Sequence, residues 1–353
     1  MPGLVVRKTS NTPIVTGKDY KFTMYPDCTV YCNDSSTGRK CDPPEFFVEF
    51  KTVNPFLQKK NSSETTDESV ECRRTVAQTG SYVSVLMDSQ YRTHCFLVLG
   101  INDYARLMCW DRSGAVYSEP IYYNRESELL DFFEAYAEAT PQARGWDGSV
   151  TKANPAEARA ALDHWSKEKE TLSALEFWRE RHVDKSSKPE EESLLVVSLN
   201  NPDIYSDSRR FVILPPSSKP SIPIGRSTRT SIAYDLQRDK SVFMKDSWRV
   251  VATNAAVEGS VYCYLNARGV NGTPRCDIYC DVGEDQYHQT QTQSLFHEFP
   301  NHGSRTSIPT RRNHRLILDT VGRPLTGFEC TKDLVRAVFA ALEGTNVKSC
   351  FLL

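Results

Sequence analysis

An uncharged apolar run from Cys95 to Ile101 (CFLVLGI) restricts the fold of this chain more than any other segment. A short run without a charged side chain is typical of a strand that is buried on both faces of a sheet. A hairpin pattern follows it, with strands at 105–110 and 115–118 around a turn at 111–114. We therefore expect the first part of the chain to contain a sheet in which this run is a buried strand.

Weaker patterns on both sides of this run complete a first block that ends near residue 150. Strands are predicted at 28–32 and 46–50, where apolar side chains alternate or cluster. Apolar positions recur at roughly helical spacing in 73–90 and in 129–137, where helices are predicted. The 353 residues are enough for two ordinary domains, so we expect 1–150 to form one of them, an α/β module.

A helical connector separates this block from a second one. Alanine, glutamate and lysine dominate 155–181, and a charged stretch with a proline follows. We interpret 151–206 as a connector and linker, in which Trp165 belongs to an apolar stripe that packs against a neighbouring domain.

The second block, residues 207–353, is predicted to contain an antiparallel sheet and one packed helix. The pattern indicates a strand at 210–214, a hairpin at 230–245, a helix at 254–267, strands at 276–282 and 314–320, and a last helix at 332–342. The long polar segment 283–313 is predicted to be a surface loop. The two blocks together indicate the α+β class.

Composition excludes several functional classes. Lys and Arg total 43 against 45 Asp and Glu, so a generally basic protein that coats nucleic acid is excluded, although a local basic groove is not. No apolar run reaches the length of a membrane span, and the N-terminus has no signal-peptide pattern. The 11 cysteines form no CxxC pair, which favours reduced thiols in an intracellular protein, with zinc binding as the alternative.

The order of elements in the second block is that of the N-terminal lobe of a protein kinase. Lys245 ends the strand pattern Val242–Lys245, and Glu258 lies in the helix that follows. Kinase chemistry needs this pair, because the lysine holds the α- and β-phosphates of ATP and the glutamate fixes the lysine. The alternative is a surface lysine whose stem covers apolar neighbours.

Two further segments fit this interpretation. Gly225 stands where a glycine-rich phosphate loop belongs, but the segment Gly225–Thr230 has one glycine rather than three. Its arginines could replace backbone amides as phosphate donors. The strand before Asp319 leads into Asp319–Val321, the position of a kinase hinge.

Several distinctive strings carry a closer resemblance. Among them are WDRSGAV in 89–124, FMKDSWR in 231–249 and VGRPL in 314–342. The chain resembles the fungal-type protein kinases over most of its length, in the same order. The resemblance implies a Ser/Thr-type phosphoryl-transfer enzyme with ATP and magnesium as cofactors. It also implies that Lys245 anchors ATP, with Glu258 as its helix partner and Asp319–Val321 as the hinge.

The sequence departs from that family in one respect. Neither the HRD string nor the DFG string occurs, and these supply the catalytic aspartate and the main magnesium ligand of a kinase. We therefore expect a truncated kinase-like protein without kinase activity. An inactive scaffold that binds a protein partner is the alternative.

The first block carries a second pattern. Pro26-Asp27 precedes one predicted strand, and Glu49-Phe50-Lys51 closes the next, as in PD-(D/E)xK domains of the restriction-endonuclease type. Asp27 and Glu49 on adjacent strands can share one magnesium ion, and Lys51 points to the same face as Glu49. This predicts a metal-dependent, nuclease-like module that binds nucleic acid. The alternative is an edge-strand glutamate and lysine in solvent, with an aspartate that caps a turn.

Overall fold

The computed structural model of the protein describes residues 3–11, 23–32, 43–55, 66–168, 194–200, 208–216, 222–252, 255–283, 286–296, 308–322, 328 and 330–349. In chain order, its elements are β1 Leu4–Lys8, β2 Cys28–Cys32, β3 Phe46–Lys51, α1 Thr66–Ser89, β4 Cys95–Ile101, β5 Tyr104–Trp110, β6 Ala115–Tyr117, α2 Glu128–Glu138, β7 Val150–Lys152, α3 Pro155–Lys167, β8 Leu195–Leu199, β9 Arg209–Ile213, β10 Arg229–Asp235, β11 Lys240–Val250, α4 Glu258–Ala267, β12 Cys276–Asp281, α5 Thr292–Phe296, β13 Arg311–Leu318 and α6 Thr331–Ser349.

The chain divides into two compact units, each built from three separate segments. The first unit contains Met1–Gly148, Pro220–Ser227 and Asp285–Arg312, and the second contains the remaining residues. The first boundary thus lies close to residue 150, and two later segments also belong to the first unit. Both units combine a sheet with separate helices, which confirms the predicted α+β class.

The first unit is built on a six-stranded sheet in the order β1-β2-β3-β4-β5-β6. Neighbours pair antiparallel except β3 and β4, which run parallel. A parallel pair needs a long crossover, and α1 provides it between β3 and β4. Side chains of β4 and one face of α1 form a buried core that includes Val83, Leu86 and Leu97. The apolar run Cys95–Ile101 is the buried strand that its composition predicts.

Helix α2 contributes to a second core that is rich in aromatic rings. Phe46 of β3 meets the Tyr136 ring edge-on, with ring centroids 4.8 Å apart. Phe132 and Phe133 pack against the Phe46 ring. Such edge-to-face pairs stabilise the packing of α2 beyond the contribution from buried apolar area.

The segment 286–296 corrects the prediction of a surface loop at 283–313. It contains a 3₁₀ turn at Gln286–His288 and helix α5, and several of its polar side chains are buried. The carboxylate of Asp111 accepts hydrogen bonds from the amides of Gln291 and Thr292 and from the Thr292 hydroxyl, at 2.7, 2.9 and 2.6 Å. These bonds replace water, so a polar segment packs inside the first unit.

The second unit is built on a seven-stranded sheet in the order β12-β13-β11-β10-β9-β8-β7. Helix α3 begins with a capping box, in which the Asn154 side chain accepts from the Glu157 amide and the Glu157 side chain accepts from the Asn154 amide. Its Ala158, Ala161 and Trp165 pack into a core with strands β8 to β10. The predicted stripe beyond Glu168 lies outside the described residues.

Most predicted elements of both units are confirmed, with ends that shift by a few residues. The predicted helix 73–90 begins earlier, at Thr66, and the predicted helix 254–267 begins later, at Glu258. The sequence patterns did not indicate β1, β7 or β8, which are three to five residues long. Among the described residues, we find no helix whose length and hydropathy would let it span a lipid bilayer.

Candidate functional sites

An ion pair joins β11 to α4 in the second unit. The Lys245 ammonium lies 2.6 Å from Oε1 and 2.9 Å from Oε2 of Glu258, so it donates to both carboxylate oxygens. The two side chains are 24% and 29% exposed, which leaves the pair accessible to a ligand. The ion pair thus connects α4 to β11 and fixes the position of the Lys245 side chain between them.

The backbone geometry of both elements brings this pair together. In β11, Val242 and Met244 are buried while Lys245 is partly exposed, as strand alternation requires. Glu258 lies in the first turn of α4, where a carboxylate is stabilised by the positive end of the helix dipole. A Cβ added at Gly259 would lie 2.0 Å from Cγ of Tyr279 in β12, so only glycine lets the helix approach this closely.

Charged networks hold the strands next to Lys245 in place. The Asp246 carboxylate accepts from Asn313 at 2.7 Å and from the buried Arg315 at 3.1 Å, both in β13. At the end of β12, burial alone would raise the pKa of Asp281. Hydrogen bonds from His314 and Arg249, together with the charge of Arg249, instead hold this pKa well below its usual range.

The other residues predicted for the ATP site make contacts of their own. Asp319 and Val321 follow the end of β13, and the Asp319 amide donates to the Arg275 carbonyl at 3.0 Å. Gly225 belongs to the first unit, where its amide donates to the Arg112 carbonyl at 2.8 Å. Its φ of +110° is a conformation that favours glycine. Within the second unit, the structure brings Lys245 and Glu258 into direct contact.

A second cluster lies in the first unit, where β2 and β3 pair. The Glu49 carboxylate contacts the Lys51 ammonium at 2.9 Å, and its other oxygen lies 3.3 Å from the Asp27 amide. The Phe50 amide donates to the Asp27 carboxylate at 2.8 Å. The structure thus brings Asp27, Glu49 and Lys51 together at one end of the paired strands.

Burial sets the electrostatics of this cluster. The Glu49 side chain is only 3% exposed. Its burial, reinforced by the negative charge of Asp27, raises the pKa of Glu49, although the hydrogen bond and charge of Lys51 oppose the shift. An additional positive charge nearby would stabilise the ionised form of such a buried carboxylate, which is the property expected of a cation ligand.

Two residues of α1 belong to the same cluster and were missed at the sequence level. The Gln78 amide donates to Glu49 at 2.8 Å and to the Tyr82 hydroxyl at 2.7 Å. Burial raises the pKa of Tyr82 to about 12, so the phenol stays protonated. Gln78 and Tyr82 are four residues apart and share a helix face, a spacing that could have drawn attention to them.

The chemistry of the cluster fits a single divalent cation only in part. Among the described residues, no group of three or more His, Cys, Asp or Glu side chains is arranged to hold a metal ion. Asp27 and Glu49 could therefore supply two ligands, with the remaining positions filled by water or phosphate oxygens, as magnesium commonly prefers.

Comparison with known proteins identifies a family for the chain. The family model described as fungal protein kinase matches residues 48–347, which is most of the chain. The match includes Lys245 and Glu258 in the second unit, and also Glu49 and Lys51 in the first, but it begins after Asp27. No curated protein and no solved structure shows significant similarity to the chain.

Proposed function

Because the chain belongs to the fungal protein kinase family, we propose that its second unit binds ATP with magnesium at Lys245. The observation that carries this proposal is the contact of Lys245 with both carboxylate oxygens of Glu258, at 2.6 and 2.9 Å. In kinases a strand lysine holds the α- and β-phosphates of the nucleotide, and a helix glutamate fixes that lysine.

The proposed roles follow from position and charge. Lys245 offers a positive charge to the phosphates, and Glu258 prevents the lysine side chain from moving away. Asp319–Val321, at the end of β13, is the segment proposed to contact the adenine through its backbone. Gly225 belongs to the first unit, where its amide donates to the Arg112 carbonyl, and we assign it no role in binding ATP.

A calorimetric titration of the full chain with ATP and magnesium tests this proposal. We expect Lys245→Met and Glu258→Gln each to weaken binding about tenfold or more, because each removes a charge-assisted interaction. Lys240→Met is the matched control, since Lys240 is a partly exposed lysine on the same strand. Equal affinity of the Lys245→Met variant and the unchanged protein would refute the proposal.

The first unit supports a second candidate function, a divalent-cation site that acts on nucleic acid. The observation that favours it is the buried Glu49, which contacts Lys51 at 2.9 Å and lies beside Asp27. Two carboxylates and a lysine are the groups that metal-assisted phosphodiester hydrolysis uses, the metal to stabilise charge and the lysine to orient water. The proposed partner is DNA or RNA, bound through its phosphates.

Thermal unfolding with and without magnesium or manganese tests the cation site. A cation that binds only the folded state should raise the melting temperature of the unchanged protein. Asp27→Ala should abolish this rise while the fold remains, because one of two repelling carboxylates is removed. Asp103→Asn, an exposed change elsewhere in the unit, should leave the rise intact.

The outcome of a nuclease assay defines the function further. DNA cleavage that requires both the metal and Glu49 would show a nuclease. Cation binding without cleavage would indicate a site that keeps the geometry and has lost the reaction. If neither ATP nor a metal binds, the alternative of a scaffold for a protein partner gains support.

A further inference from the structure

Helix α4 and strand β12 touch along one face of the helix. Gly259 packs directly on Tyr279, and two turns later the Asn266 side chain holds the start of the strand. Its carbonyl oxygen accepts from the Cys276 amide at 2.9 Å, and its amide donates to the Pro274 carbonyl at 3.1 Å. Residues 259 and 266 therefore mark a stripe of α4 that lies against β12.

Cys263 lies on this stripe, between those two contacts. It follows Gly259 by four residues and precedes Asn266 by three, so the three positions share one helix face. Cys263 is exposed, Cys276 is partly buried, and both are free thiols. Burial, followed by the interaction with Cys263, raises the pKa of the Cys276 thiol, in keeping with the closeness that the Asn266 contact gives the two residues.

An irregularity in β12 turns Cys276 toward the helix. In a regular strand, residues 276 and 279 would face opposite sides. The pairing register of β12 shifts between Cys276 and Ile278, and an extra residue of this kind puts Cys276 on the same side of the strand as Tyr279, which contacts Gly259 of α4. Ile278 and Cys280 are buried on the other side. The strand thus presents one of its two cysteines to Cys263.

We propose that Cys263 and Cys276 are a redox pair that hydrogen peroxide converts into a disulfide between α4 and β12. The exposed Cys263 thiolate attacks one peroxide oxygen and becomes a sulfenic acid, while the other oxygen leaves and is protonated to water. The Cys276 sulfur then attacks the Cys263 sulfur and gives up its proton, and a second water leaves. Two thiols lose two electrons, and one peroxide becomes two waters.

The disulfide would act on the helix that carries Glu258. Cys276 pairs with Leu318 of β13, directly before Asp319, so the cross-link also lies at the start of the proposed hinge. Fixing α4 against β12 would fix the glutamate that holds Lys245. This consequence for ATP binding rests on the proposed function, whereas formation of the disulfide does not.

Peptide mapping of the full chain after peroxide treatment tests the proposal. Trypsin should release Cys263 in the peptide 250–268 and Cys276 in 276–305, which also contains Cys280. We expect these two peptides to appear joined, with the loss of two hydrogen atoms, and to separate on reduction. Cys263→Ser and Cys276→Ser should each abolish the joined species, while Cys280→Ser should retain it.

Thermal unfolding gives a second readout. The disulfide closes a short loop, so oxidation should raise the melting temperature of the unchanged protein by about 5 °C and leave that of Cys263→Ser unaltered. Unjoined peptides after treatment that oxidises other cysteines would overturn the proposal, as would a joined species that persists in Cys276→Ser. Disulfide formation in a protein that binds no ATP would support the redox pair and refute the proposed function alone.

Discussion

Each of the two units contains a lysine–glutamate pair, and the pairs differ in how they form. Glu49 and Lys51 lie two residues apart on one strand, so strand alternation alone places them side by side. Lys245 and Glu258 lie on different elements and meet only if α4 packs correctly on the sheet. The first pair is mostly buried and the second is partly exposed. A pair two residues apart on one strand forms whatever the rest of the fold is. A pair between a strand and a helix forms only when the two elements pack as they do here.

The largest difference between the pairs is expected in stability. Glu49→Ala should lower the free energy of unfolding by about 3 kcal/mol, because Lys51 and Gln78 lose their buried partner. Urea denaturation, followed by a signal from the first unit, measures this. A loss below about 1 kcal/mol would mean that the buried pair contributes no more than a surface pair.

Gln78→Leu provides a smaller test of the same cluster. The change removes hydrogen bonds to Glu49 and Tyr82, which should cost about 1–2 kcal/mol. Arg73→Gln, an exposed change on the same helix, should alter stability by less than about 0.5 kcal/mol. If both variants behave alike in urea denaturation, Gln78 has no special part in holding Glu49.

Glu258→Ala should separate stability from ligand binding in the second unit. The pair with Lys245 is partly exposed and screened by solvent, so we expect a loss below about 1 kcal/mol. Binding of ATP should nevertheless fall strongly, since the lysine is no longer fixed. A large loss of stability with unchanged ATP affinity would reverse this comparison.

Acidification should affect the two units in opposite directions, by smaller amounts. The raised pKa of Glu49 makes its contribution most favourable below its unfolded pKa of about 4.3, and this contribution is lost as the pH rises through its folded pKa. The lowered pKa of Asp281 gives a contribution that is present above about pH 3.9 and is lost as the pH falls.

Unfolding free energies measured across the acidic range check this contrast. Glu49→Gln should remove the part of stability that increases on acidification, and Asp281→Asn the part that decreases. The same pH slope in the unchanged protein and both variants would show that neither carboxyl controls the response.

The sequence predicted those helices and strands in which apolar and polar side chains follow a regular pattern along the chain. The run Cys95–Ile101 and the hairpin around Gln237–Lys240 follow such patterns, and both are confirmed. The segment 286–296 was misinterpreted because its Thr290 and Thr292 are buried through hydrogen bonds, and a threonine bonded in this way looks the same in a sequence as one in water.

The candidate sites were predictable to different extents. Lys245 and Glu258 follow from the order of elements together with the family resemblance, and Asp27, Glu49 and Lys51 from strand spacing. Gln78 and Tyr82 could not be assigned to a site, because their role depends on which face of α1 covers β3. That packing is set by the buried core residues of the helix, to which the Tyr82 ring belongs and Gln78 does not.

The division of each unit into three segments has a consequence for how the protein is made. The ribosome releases the chain in order, and the partners of Asp111 at 291–292 emerge long after the sheet of the first unit. Until residue 292 has been made, the Asp111 carboxylate keeps only the hydrogen bonds from the nearby Ser113 and Gly114 amides and lacks the three from 291–292. A fragment that stops near residue 150 would never acquire the hydrogen bonds from 291–292.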